Sequence, residues 1–321
     1  MNPSRLAGLA FVLVASACGA RTGLHVPPER DAGRDAPADA PDEEAPDAAV
    51  DAAIDAAIDA PEDVFDAPPD RPIIDCVDAG ITYVYLISSE NRLLRFYPPS
   101  ASFHTIGNIA CPAGGASPFS MAVDREGIAF VLYNDGELFR VSTLTASCER
   151  TGFVPGQQGF PSVFGMGFVA NAEGGGETLY VAGTGSVGSG GPAELARVEP
   201  ATFELTRVGQ LDRIIGDPEL TGTGEGNLYA FAPGSPRAHL SELEPTRAAV
   251  RDDTLLDLGS GDISAWAFAF WGGDFYFFTS KTTGESEVNR YTPGGTTTPP
   301  VIARTDTTIV GAGVSTCAPS R

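Results

Sequence analysis

A closed ring of five four-stranded antiparallel sheets, an all-β propeller, is the fold this sequence predicts, and three regularities predict it. One four-strand unit recurs with a period in the forties. Its innermost strand carries only small residues on one face. A fifth innermost strand stands at the C-terminus with no blade after it, while the first unit lacks one of its own. Four short strands repeating at such a period are the signature of propeller blades. No apolar stripe with helical spacing competes with them after Asp75.

Residues 117–153 define the unit, with strands expected at 120–124, 128–133, 138–142 and 148–153. Asp135-Gly136 between two apolar runs marks a hairpin, because the turn needs a positive φ that glycine adopts without a Cβ clash. The third strands align on Arg95, Arg140, Arg197, Glu242 and Arg290, in steps of 45, 57, 45 and 48, the long step holding a Gly-rich insertion at 183–191. The second strands align at 83–86, 129–132, 179–182, 228–231 and 275–278. Innermost strands follow at 120–123, 165–168, 221–224, 267–270 and 311–314. Residues 120 and 122, 165 and 167, 221 and 223, 267 and 269, and 311 and 313 are all Gly, Ala, Ser or Thr. Positions two apart share a face in a strand, so these small faces suit strands converging on one narrow axis. The simplest closure has the C-terminal strand, 310–314, supply the missing inner strand of the first blade. The competing architecture is an irregular β-sandwich.

Residues 1–17 read as a secretory leader, with Arg5 followed by an apolar run at 6–15 too short to span a bilayer. Ala15-Ser16-Ala17-Cys18 resembles the lipobox of bacterial lipoproteins, in which the leader is cut before a cysteine that is then acylated. The alternative is an ordinary leader cut beside an incidental cysteine. Five cysteines in an exported chain leave one unpaired; lipidation of Cys18 leaves four. By resemblance to lipoprotein sorting, Gly19 implies the outer membrane.

Residues 18–75 then form an acidic linker. Asp recurs at 31, 35, 39, 47, 51, 55, 59 and 63, and the net charge from Glu29 to Asp75 is −13 out of a formal −22. Stacked like charges and repeated prolines oppose a helix, so a disordered, self-repelling tether is expected. Calcium held by its carboxylates is the rival use, but the spacing lacks an ordered loop of oxygen ligands.

The remainder, 76–321, is expected to be one domain, with two bridges. Cys76 precedes the second strand of the first blade and Cys317 follows the closing strand, so a Cys76–Cys317 clasp would lock the ring. Loop-closure entropy makes such a bridge worth roughly 5 kcal/mol. By elimination Cys111 pairs with Cys148, although an ideal propeller puts the end of one outer strand and the start of the next at opposite ends.

Most catalytic chemistries find no support. Gly183-Thr184-Gly185-Ser186-Val187-Gly188 matches a dinucleotide fingerprint in letters, yet no helix follows to hold a pyrophosphate. There is no Gly-X-Ser-X-Gly, Cys-X-X-Cys or His-Glu-X-X-His, and a chain this acidic is ill suited to nucleic acid. No cofactor is expected. Asp217 and Glu219, two residues apart, could form a carboxylate pair for glycoside hydrolysis; a solvated loop is the blander reading. Loops entering the inner strands should gather on one face, offering Gln157, Gln158, Phe160, Glu219, Asp262 and Trp266 to a sugar or peptide.

In layout the chain resembles bacterial envelope lipoproteins that carry a propeller on an Asp/Ala/Pro-rich stalk. The resemblance brings no assigned activity, and the leading expectation is a monomeric binding or scaffold module on the outer membrane, taking a glycan, peptide or envelope protein. Two alternatives stay open: a carbohydrate-active hydrolase using Asp217 and Glu219, and a purely structural envelope protein.

Overall fold

The computed structural model describes residues 82–321, apart from 172–175, 186–190, 235–236, 260, 282–283 and 297–299. The expected leader, Cys18, the acidic linker and Cys76 lie outside the described residues.

Nineteen strands form five sheets among the described residues. Blade I takes β1 (Val84–Ser88), β2 (Arg92–Tyr97) and β3 (Ser102–Asn108). Blade II is β4 (Pro118–Val123), β5 (Ile128–Tyr133), β6 (Leu138–Ser142) and β7 (Cys148–Arg150). Blade III is β8 (Gly165–Ala170), β9 (Glu177–Gly183), β10 (Pro192–Val198) and β11 (Leu205–Ile215). Blade IV is β12 (Glu219–Gly222), β13 (Leu228–Ala232), β14 (Ala238–Glu244) and β15 (Ala249–Leu256). Blade V holds β16 (Ile263–Trp271), β17 (Asp274–Lys281) and β18 (Glu287–Tyr291), and β19 (Ile309–Gly313) follows.

The last strand closes the ring as the sequence predicts. β19 pairs antiparallel with β1, in the register Tyr85↔Gly313, Leu86↔Ala312 and Ile87↔Gly311, giving the sheet order β19-β1-β2-β3. Polar contacts reinforce the seam: Ser89 N–H donates to Thr308 O at 2.9 Å, and Arg92 binds the Asp306 carboxylate through two nitrogens at 2.9 and 3.0 Å. Bidentate pairing of this kind fixes geometry as well as charge.

The inner strands β19, β4, β8, β12 and β16 contact one another in that ring order. Their small residues are a steric requirement. A Cβ on Gly165 would lie 2.1 Å from Pro218 O, and one on Gly222 would lie 2.0 Å from Phe168 O. The axis is consequently packed: about 160 Å³ of atom-free space remains between residues such as Met166, Leu220 and Ala312, too narrow for a water molecule. Five apolar layers fill the five gaps between blades, each built from the facing sides of two neighbours. Because each sheet is buried on both faces, runs such as Ile128–Tyr133 are apolar throughout rather than alternating.

Three local expectations are corrected. β7 is three residues long rather than six. β12 starts at Glu219, so this carboxylate sits on a strand and not in a solvated loop. Among the described residues blade V has three regular strands, and a bridge, Val288↔Ile302, stands where a fourth is expected. The connecting stretch contains Gly294, Gly295, Pro299 and Pro300, and proline cannot donate to a ladder.

The Cys111–Cys148 bridge is present, with Cα atoms 5.2 Å apart. The expected conflict of ends disappears because neighbouring strands in a sheet rotate by 20–25° each, so the fourth has turned roughly 60–75° from the first. The outer strand thus lies across the ring, and its exit reaches the start of the next blade's outer strand. Gly107 near the end of β3 shows this directly, since a Cβ there would sit 3.2 Å from Ala146 Cβ just before β7. Cys317 is also disulfide-bonded; the Cys76 half of the expected clasp lies outside the described residues.

Candidate functional site

The ring has an upper end, where the inner strands begin, and a lower end, where they finish. At the upper end Glu219 of β12 is 4% exposed. Ser120 Oγ of β4 donates to its Oε2 at 2.8 Å, and the Met166 N–H of β8 also bonds the carboxyl. Three blades are thus joined through one acid group. Gly165, between Ser120 and Glu219 in ring order, leaves the room: a Cβ on it would lie 2.6 Å from Glu219 Cα. Burial pushes the Glu219 carboxyl well above the usual range, an effect that its hydrogen bonds oppose and the nearby Asp217 reinforces. Asp217 is buried and accepts a hydrogen bond from Thr184 Oγ1. The narrow space along the axis, between Met166, Leu220 and Ala312, is lined by neither carboxyl.

The six residues expected to line one rim are not brought together. Gln157 and Gln158 serve the outer strand of blade III. Gln157 donates to Phe203 O at 2.9 Å and accepts from Leu205 N–H at 3.1 Å, while Gln158 donates to Leu205 O at 2.7 Å. Phe160 is 2% exposed and packs with its ring centroid 6.0 Å from that of Phe164. Trp266 is half-buried against the layer between blades IV and V, and Asp262 is exposed. Glu219 and Trp266 lie on innermost strands, β12 and β16.

The glutamine placements have a structural cause: at three junctions the chain crosses the outer strand of the next blade before it turns inward. From blade I to II the crossing is held by Cys111–Cys148, and from II to III by the two glutamine amides. From III to IV, Asp212 accepts from Val250 N–H at 3.1 Å while Arg213 donates to Val250 O. Gln157 and Gln158, expected around the axis, are thereby drawn to the circumference.

At the lower end a second network joins the closing segment to two blades. Arg125 N–H donates to Glu177 Oε1 at 2.8 Å, Arg125 Nε donates to Thr316 Oγ1 at 2.7 Å, and Thr316 Oγ1 donates to Glu177 Oε2 at 2.7 Å. Burial raises the Glu177 carboxyl to about 7, against the lowering effect of those bonds and of the Arg125 charge. Its upper neighbour Asp124 is also pushed well above the usual range, first by burial and then by the charges of Glu126 and Glu177. Glu177 borders a shallow groove shared with Arg197, Glu199 and Glu204. Among the described residues no group of three or more His, Cys, Asp or Glu side chains is placed to hold a metal ion. Sequence reasoning missed Arg125, Glu177 and Thr316. They come from three distant parts of the chain, and no spacing links them.

Fold and sites together define a five-bladed β-propeller with a filled centre. No family model matches the chain, and neither does any curated protein. Among solved structures it is similar to a chain of a crystal structure of a nidogen/laminin complex, with 14% identity, coverage of 75% of this chain and 100% of that one, and a TM-score of 0.44. A likeness so distant transfers no residue role.

Proposed function

We propose that the chain is a binding or scaffold module of the bacterial cell envelope: a propeller head carried on an acidic stalk from a lipidated Cys18, on the outer membrane, capturing a glycan, a peptide or another envelope protein. The observation that carries the binding half is the packed axis. The carboxylates nearest to it, Asp217 and Glu219, are engaged in internal hydrogen bonds and sheltered from solvent, which leaves the outer surfaces of the blades to meet a partner. A rigid scaffold with variable surfaces is the usual setting for recognition. The anchoring half is supported by the sequence of residues 1–75 and by one contact of the propeller. Trp271 Nε1 donates to Thr82 O at 3.0 Å, and the adjoining Gly272 N–H donates to Pro319 O at 2.7 Å. Thr82 and Pro319, on either side of the propeller in the chain, thus meet at the lower end.

Two measurements test this. Mass spectrometry of the mature N-terminus is expected to find an acylated Cys18, absent in Cys18→Ser, and an unmodified chain beginning elsewhere counts against the anchor. Glycan and peptide panels are expected to give binding without turnover. Hydrolysis by the wild type that disappears in Glu219→Gln would replace the module reading with an enzyme.

A further inference from the structure

The lower edge of blade I carries a row of aromatic rings, of which Tyr85 packs against the layer between blades I and II and Trp271 against the layer between blades V and I, while Tyr83 and Tyr97 belong to neither. Tyr83 and Tyr85 alternate on one face of the chain entering β1, and Tyr97 ends β2 beside Tyr83. Ring centroids run from Tyr85 to Tyr83 at 6.4 Å, on to Tyr97 at 5.7 Å, and on to Trp271 of blade V at 6.3 Å. All four side chains are partly exposed. The polar tips of Tyr85 and Trp271 are held by Thr143 and Thr82, which fixes the two ends of the row; at a surface, Tyr and Trp supply rigid contact area, which is why they gather at binding sites.

Charge narrows what such a row would take. The chain is strongly acidic, with a formal net charge of −22, and Arg92, Arg125, Arg150, Arg207 and Arg251 all face carboxylates. Arg95 has no carboxylate partner among the described residues. Its guanidinium instead lies 4.7 Å from the centroid of the Tyr83 ring. Opposite it on β3 stands His104, which is exposed. A guanidinium over a ring is held by the ring's quadrupole and keeps its outer donors free for a carboxylate. The rings follow one another in a line rather than around a cavity, which suits a linear polymer better than a small molecule. Apolar ring surfaces match the C–H face of a pyranose, and the unmatched cation calls for an acid group on it.

We propose that Tyr85, Tyr83, Tyr97 and Trp271, with Arg95, form a binding site for a linear acidic saccharide, one bearing uronate carboxylates. The assignment rests on the module reading and names its ligand class.

The test is titration calorimetry of the mature full chain with oligogalacturonate, using a malto-oligosaccharide of equal length as the neutral comparator. Oligogalacturonate is expected to bind and the neutral chain to bind at least tenfold more weakly. Arg95→Gln is expected to lower uronate affinity about tenfold and erase the preference, the scale of one charge-assisted hydrogen bond. Tyr97→Ala is expected to weaken both saccharides about tenfold, and Tyr97→Phe, which keeps the ring, to retain binding. Arg247→Gln, another exposed arginine, serves as the control and leaves affinity unchanged. Thermal unfolding of each variant separates lost binding from lost fold. Failure of the wild type to bind oligogalacturonate, or equal binding by Arg95→Gln and Tyr97→Ala, overturns the assignment. The module reading survives that result if the panels return another ligand, and falls only if turnover is found.

Discussion

Replacing Gly165 by alanine is the sharpest perturbation of the packed axis. The added Cβ would stand 2.1 Å from Pro218 O, 2.6 Å from Glu219 Cα and 3.0 Å from Pro218 C. All three are backbone atoms of the neighbouring inner strand and its approach, so no side chain can rotate away. Relief requires blade IV to withdraw by about 1 Å from a contact that closes the ring on both sides. Overpacking of this kind costs about 1–3 kcal/mol, and a clash with fixed backbone belongs at the upper end of that range. Gly→Ala also stiffens the unfolded chain, which returns about 0.4–1 kcal/mol where the native backbone tolerates alanine. The net expectation is a loss of about 2 kcal/mol or more, a fall in Tm of roughly 4–8 °C for a domain of this size. Differential scanning calorimetry reads it, with Gly185→Ala as the partner variant. A Cβ on Gly185 meets nothing within 4 Å, so its change should stay within about 0.5 kcal/mol. If both substitutions leave the unfolding temperature alike, the inner strands are not packed as described.

Two further outcomes follow from the networks at the circumference and the lower end. Glu177 has its carboxyl raised to about 7 from the usual 4.5, so the folded chain holds a proton that the unfolded chain releases; stability is highest below pH 4.5 and falls by up to about 3 kcal/mol as pH rises through 7. Denaturant titrations from pH 4.5 to 8 should show that decline, and Glu177→Gln should flatten much of it, with Asp124 and Glu219 supplying what remains in the same direction; an unchanged slope in the variant counts against the burial argument. Opening the Cys111–Cys148 bridge by a double serine substitution frees a loop of sequence separation 37, which by loop-closure entropy costs roughly 4 kcal/mol. Unfolding of wild type and variant in urea, without reductant, measures it, and a difference under about 1 kcal/mol would mean that the blade crossing is held by its apolar contacts alone.

The repeat was legible in the sequence because backbone pairing and burial both write periodic signals. The second and third strands of every blade fall at or within a few residues of their expected places, and β5 and β6 coincide with them. Small residues at 165, 167, 311 and 313 announced the crowded axis, since only Gly fits where a neighbour's backbone comes so close. The candidate rim was not legible. Gln157, Gln158 and Cys111 lie on long irregular segments whose course is set by accumulated sheet twist, a property of the assembled blade and not of any local pattern. Glu219 misled for a related reason. Its distance from Ser120 in the chain, and the gap left by Gly165, emerge only when three blades are side by side. The tyrosines at 83, 85 and 97 were visible as strand residues, but their continuation into Trp271 across the closing seam was not.

Ring closure by the C-terminal strand is the claim on which the blade count, the packed axis and the meeting of Thr82 and Pro319 at the lower end depend. Native-state amide hydrogen exchange of residues 309–313, followed together with that of 84–88, tests it most directly. The account predicts that both segments are protected to the stability of the whole domain and open together, as expected of strands in one cooperative unit. Rapid exchange through Gly311, Ala312 and Gly313 while β1 stays protected would contradict it.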